Sequence, residues 1–286
     1  MENTPNVWYS EIATTLPYRR GAFHMNSLKQ SNQENQLPEE IRTVFAELKV
    51  LKHLRQAGIK RNLGFACSYL FQIVFCLLFR HRNWFSMQES ERNNAGFPCK
   101  DAIYRFLNCS NFAWQRFLTA FSSHVIEKVI PLTAQKQTRV LIVDDSAYKR
   151  NRSKKVELLA RCKDHTDNCY YKGFRMLTLG WSDGHTFIPT DFAMLSSQTS
   201  CLNGINETID KRSHGYKRRL EALQKAPEVI PDMIDRTLKS GVNASYVLMD
   251  SWFTHAPLIR AVRKRGLDVI GMVKDNNHRY RWMGNI

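Results

Sequence analysis

Asp144 and Asp250 are the residues of this sequence best placed to do chemistry. Each follows a short run of β-branched and aliphatic residues, Val140 to Val143 in one case and Tyr246 to Met249 in the other. Two carboxylates brought together by neighbouring strands can hold a divalent ion, Mg²⁺ or Mn²⁺, which prefers oxygen ligands and often takes one or two protein carboxylates. Metal held in this way activates water and stabilises a leaving oxygen, the requirement for cleaving a phosphodiester. An acid at the end of a strand is also commonly satisfied by a turn amide or a helix N-terminus. That simpler reading has the advantage for either aspartate alone, and the joint placement at equivalent ends of two strands reverses it. Asp145 adjoins Asp144, and successive strand side chains face opposite ways, so one of the two addresses the ion. Asp144 is the assignment, which leaves Asp145 to cap the chain or bind a nearby amide.

Basic residues crowd around these acids. Lys149, Arg150, Arg152, Lys154 and Lys155 follow the first aspartate, and Lys211, Arg212, Lys217, Arg218 and Arg219 lie in a polar stretch further on. One such cluster reads equally well as a solvated face, but two flanking candidate metal ligands suit phosphate contacts. Arg263, Lys264 and Arg265 at a helix C-terminus fit dipole complementation instead. Trp252 and Phe253 read as packing under the following helix, with stacking on a base as the alternative, and His255 either orients substrate or starts that helix. The whole chain of 286 residues carries a formal net charge of +16, and both halves are basic. Such an excess favours a polyanionic partner, nucleic acid more often than an acidic membrane surface.

The elements that must position the acids fall into two textures. Residues 1–38 are polar, without sustained periodicity, and read as a loosely ordered lead-in. Residues 39–132 read as all-helical: 39–56 and 114–130 have apolar positions at helical spacing, Pro98 leads a helix over 97–107, and Leu63 to Phe79 is an apolar run. That run is at the short edge of a membrane span and contains Ser68, Tyr69 and Gln72, so a buried helix is expected, with no membrane association. The 97–107 helix followed by Trp114 could form a helix-turn-helix reader, although no base-reading pattern accompanies it. Residues 139–286 read as strands at 139–144, 174–181, 186–195, 245–250 and 267–273, with helices over 227–240 and 255–265. The order β-β-β-α-β-α-β predicts a mixed α/β sheet with helices on its faces. The seven cysteines include no CxxC pair, which suits reduced thiols in a cytosol, and Cys162, His165 and Cys169 match no common zinc spacing.

The block Val140-Leu-Ile-Val-Asp-Asp-Ser-Ala-Tyr-Lys-Arg150 resembles the first-aspartate motif of insertion-sequence transposases, and Val247-Leu-Met-Asp-Ser-Trp-Phe-Thr254 resembles their second. Tyr170 to Arg175 and Val269 to Lys274 are also similar to that family, so the likeness runs from about Lys100 to Lys274. The branch in question has a third motif of the form Tyr-x2-Arg-x3-Glu-x6-Lys. The resemblance implies a helical DNA-binding region, a ribonuclease-H-like core whose first and fourth strands are adjacent, and Mg²⁺ dependence. It also implies double-stranded DNA as partner, homo-oligomeric assembly on transposon ends, and work in a bacterial cytoplasm at the nucleoid. The first acid of the Asp-Asp-Ser triplet takes the catalytic role in that family, in agreement with Asp144.

The third motif is not found. No glutamate follows Glu228, and Tyr280 is not followed by Arg at the required spacing. Asp268 starts the fifth strand and Asp275 lies in the loop after it, so neither sits on a helix facing the pair. The expectation is a catalytically incomplete transposase, shortened, frameshifted or cut from a longer chain, that still binds DNA. The alternatives are a non-catalytic DNA-binding remnant that interferes with a full-length relative, and a host nuclease of the same fold.

Overall fold

A computed structural model describes residues 39–79, 83–91, 94, 96–133, 137–164 and 168–273. The lead-in, His165, Lys274, Asp275 and Tyr280 lie outside these residues.

Helices come first. The segment expected as one helix is two, α1 (Glu39–Glu47) and α2 (Val50–Gln56), because Lys49 between them adopts φ 52 and breaks the helical path. The apolar run forms α3 (Cys67–Phe79), with Tyr69, Leu70, Ile73 and Cys76 all but inaccessible. Thirteen residues at about 1.5 Å rise make a rod of roughly 20 Å, shorter than a bilayer core. No helix among the described residues is long and apolar enough to cross a membrane. α4 (Trp84–Ser90) was not expected from periodicity; the Asn83 side chain starts it by accepting the Ser86 N–H at 2.8 Å. α5 (Lys100–Leu107) and α6 (Trp114–Val129) appear where expected. Phe45, Leu54, Leu70, Ile73, Phe106 and Phe117 fill the core among these helices.

The rest of the chain builds a six-stranded sheet: β1 (Val140–Lys149), β2 (Ala160–Asp164), β3 (Cys169–Ser182), β4 (Phe187–Leu195), β5 (Tyr246–Met249) and β6 (Asp268–Gly271). Three helices interleave with it, α7 (His214–Ala222), α8 (Ala226–Lys239) and α9 (Ala256–Arg263). The order is β2-β3-β1-β5-β6, with β4 also on β3. β1 is antiparallel to β3 and parallel to β5, so the sheet is mixed and the expected neighbouring of β1 with the αβ part is observed. The fold is therefore mixed α/β, helices followed by a mixed sheet. β2 and α7 went unforeseen, since Ala-Arg-Cys-Lys-Asp and His-Gly-Tyr-Lys-Arg-Arg have too few apolar positions to show a period.

The sheet buries Leu141, Val143, Leu177, Leu179 and Trp181 against Val229, Ile230, Met233 and Ile234 of α8 and against Ile126 of α6. α6 therefore belongs to both cores, with Phe117 in the helical one. Its Gln115 side chain donates to the Phe192 carbonyl at 2.9 Å and to Glu221 at 2.6 Å, and Ser122 donates to the Pro189 carbonyl. Behind this seam Asp191, fully buried, accepts from Arg236 Nε at 2.6 Å, and Arg236 also reaches Glu221 at 2.8 Å. The described residues form one compact unit, with the helical region fastened to the sheet through α6.

Candidate active site

β1 alternates: Leu141 and Val143 point into the core, and Ile142 and Asp144 point the other way. On the parallel neighbour, Val247 and Met249 are buried in turn. The register pairs Val143 with Met249, so one step further along both strands places Asp144 beside Asp250. β1, expected to end at residue 144, runs on to Lys149 along β3, so Asp144 sits mid-strand, level with the point where the shorter β5 stops and the chain turns at Asp250.

The turn holds Asp250 in place. One carboxylate oxygen accepts the backbone N–H of Trp252 at 2.9 Å and of Phe253 at 3.3 Å, while its carbonyl accepts the Thr254 hydroxyl at 2.7 Å. A turn amide thus satisfies part of this acid, as the simpler reading has it, and at the same time aims it at the neighbouring strand. Desolvation pushes the Asp144 carboxyl above the ordinary aspartate range; the Asp145 N–H opposes this, and the charges of Asp145 and Asp250 reinforce it. Crowded negative charge of this kind is what a bound cation would relieve.

Asp145 is occupied elsewhere. It accepts a hydrogen bond and ion pair from Arg175, which stands two residues along β3 from its cross-strand partner Leu177. Asp144, Asp145 and Asp250 share a cleft of 410 Å³ with Lys149, Lys163, Asp164, Tyr171, Arg175 and Trp252. Asp164 is paired with Lys149 at 2.9 Å. Among the described residues no group of three or more His, Cys, Asp or Glu side chains could hold a metal ion. Asp144 and Asp250 could together hold one divalent ion, completed by water or substrate oxygens. Asp268 begins β6, is exposed, and faces Arg263 at 3.6 Å.

The basic residues separate into kinds. Arg152, Lys154 and Lys155 stand exposed in the loop after β1, and Lys211, Arg212 and Lys217 are exposed before and on α7. Arg150 lies over the Tyr148 ring at 4.6 Å. Arg219 grips Glu157 with two bonds of 2.8 and 2.6 Å, anchoring α7 to the loop before β2. Arg218 turns into a cleft between α6, α7 and α8, where burial lowers its pKa. Trp252, read from sequence as core packing, is 49% exposed and lines the cleft; Phe253 beside it is buried as expected. Sequence reasoning missed Lys163, Asp164 and Arg175, because β2 carried no recognisable pattern and Arg175 sits 30 positions from its partner.

A family model described as DDE superfamily endonuclease matches residues 82–283, which include both aspartates and every residue of the cleft. No curated protein matches the chain. A solved structure described as the Drosophila P element transposase strand transfer complex is similar at 10% identity, with a TM-score of 0.33, over 82% of this chain and 43% of that one. The chain therefore spans less than half of that protein. With the family match extending over more than two thirds of its length, this chain belongs to the DDE superfamily endonucleases.

Proposed function

We propose that the chain acts on DNA as a transposase of the insertion-sequence type, recognising element ends and contributing Asp144 and Asp250 to strand cleavage and transfer. The observation that carries this reading is the shared register of the two aspartates, one step past the paired stretch of β1 and β5, inside a cleft walled by Lys149, Lys163 and Arg175. The resemblance of the two aspartate blocks to insertion-sequence transposases supports the narrower assignment.

Asp144 and Asp250 would hold one divalent ion, Mg²⁺ or Mn²⁺. When bound, that ion supplies Lewis-acid activation of water and stabilisation of the leaving oxygen. The protein's own part is positional. The turn amides of Trp252 and Phe253 fix one oxygen of Asp250, and β1 presents Asp144 beside it. Arg175 occupies the carboxylate of Asp145 within the same cleft, and Lys149 and Lys163 offset the charge of an incoming phosphodiester. The exposed Arg152, Lys154, Lys155, Lys211, Arg212 and Lys217 supply phosphate contacts to the duplex. Lys149, Arg150, Arg218 and Arg219 support that surface through the contacts described above.

Two carboxylates do not fix a second ion against the charge of the first, so the chain alone cleaves slowly unless another acid joins the site. The same two-acid set favours a second reading, a protein that occupies DNA ends without cutting. The two are separated by incubating the purified chain with Mn²⁺ and supercoiled plasmid carrying matched element ends. Nicking that Asp144→Ala abolishes establishes the catalytic reading, and binding without nicking establishes the second.

A further inference from the structure

Beside the cleft of the aspartates lies a second one of 480 Å³, and the two share Lys163, Arg175 and Trp252 as a dividing wall. Arg161 and Lys225 complete the charge on its lining, so four cations face it and, among the described residues, no carboxylate does. The nearby acid Glu228 is turned back to accept the Lys225 backbone N–H at 3.3 Å. Hydroxyls of Ser197 and Thr199, 3.3 Å apart, add neutral donors from the loop after β4. Arg161 rests over the Tyr170 ring, 5.0 Å from its centroid, and Arg175 is held by Asp145, so both guanidinium groups have defined positions. The neighbouring cleft, by contrast, contains four aspartates. Positive charge concentrated in a depression that opens onto an acidic site calls for an anion continuous with whatever occupies that site.

We infer that this second cleft holds the sugar-phosphate backbone of one unpaired DNA strand leading away from the phosphodiester at Asp144 and Asp250, which rests on the DNA-cleaving reading above. The cleft falls within the roughly 300–1,000 Å³ of pockets that enclose a small molecule, which is room for a nucleotide or two of one strand. Trp252 on the dividing wall, 49% exposed, presents an aromatic face on which a base can stack whatever its sequence. Phosphates then pass Lys163, Arg161 and Lys225 in turn. Strand separation beside the scissile bond is thereby coupled to binding in this cleft.

The test uses the full chain, metal-free, with two labelled DNAs followed by fluorescence anisotropy: a blunt duplex, and the same duplex with a short single-stranded tail. Wild type binds the tailed DNA more tightly. The double variant Arg161→Gln/Lys225→Gln, both exposed positions, loses about tenfold in affinity for tailed DNA, and its log-log salt slope falls by about 1.4, at ~0.7 per single-strand phosphate. Its blunt-duplex affinity stays within about twofold of wild type, as does that of the charge-matched control Arg263→Gln/Lys264→Gln on both DNAs. Trp252→Ala reduces the tail preference without changing the salt slope. Equal losses on blunt and tailed DNA, or no loss on either, overturn the inference while leaving the DNA-cleaving reading intact. A wild-type chain that binds neither DNA overturns both.

Discussion

Asp144 and Asp250 meet because β1 and β5 run parallel in the register that pairs Val143 with Met249, and each chain continues by one residue into acid. No other contact is needed to bring them together. Desolvation, reinforced by the charges of Asp145 and Asp250, raises the pKa of Asp144, so ionised Asp144 weakens the metal-free fold. Mn²⁺ or Mg²⁺ should therefore raise the melting temperature of the wild-type chain. At a hundredfold excess over Kd, binding contributes about 2.7 kcal/mol, and each kcal/mol is worth roughly 2–4 °C in a unit of this size. Asp144→Asn and Asp250→Asn abolish the metal-induced shift, and the metal-free Asp144→Asn chain melts no lower than wild type. A shift that survives in both variants places the metal elsewhere.

Asp145 gives the opposite pattern. Its carboxylate serves Arg175, so Asp145→Asn retains the metal-induced shift and instead lowers stability by about 1 kcal/mol, the scale of a partly exposed ion pair. Thermal melts of Asp144→Asn and Asp145→Asn with and without Mn²⁺ compare the two directly. Loss of the shift in Asp145→Asn alone would exchange their roles.

Duplex binding depends on salt because each neutralised phosphate releases counterions, with a log-log slope of about −0.9 per contact. Lys154→Ala/Lys155→Ala removes two exposed cations after β1, and it should flatten the measured slope by roughly 1.8 without shifting the melting temperature. Binding that is insensitive to salt contradicts the assignment of this loop to DNA.

The Glu157–Arg219 pair has a pH signature. Hydrogen bonding to Arg219 holds the Glu157 carboxyl below its ordinary range. A depressed folded-state value contributes stability above the unfolded pKa of about 4.3, and that contribution is lost as pH falls through the folded value. Glu157→Gln therefore costs about 1–3 kcal/mol near neutral pH and progressively less in acid. Denaturant midpoints of wild type and variant at the two pH values measure the difference; a cost that does not change with pH rules out the ion pair as its source.

What the sequence by itself determined lies in the strongly patterned segments. The apolar run of α3, the periodic faces of α5, α6 and α8, and the apolar strand segments leading into Asp144 and Asp250 were legible, because burial of one face or both imposes a period on the residues concerned, whereas the polar continuation of β1 to Lys149 was not. Strand alternation gave that only one of Asp144 and Asp145 can face an ion, and the resemblance of the Asp-Asp-Ser triplet favoured Asp144; the Arg175 contact to Asp145 came only with the tertiary structure. Tertiary structure alone decided the rest. β2 exists because the edge of β3 supplies partners for a polar five-residue segment, and α7 is helical although few of its positions are apolar, with Ser213 capping its start and Arg219 locked to Glu157. The division of the basic residues into exposed cations, ion-paired anchors and the walls of two adjoining clefts was equally unreadable. Charge at a position is a property of the residue, whereas the partner that neutralises it, or its absence, arrives from 15 to 62 positions away along the chain, at separations over which no local pattern operates.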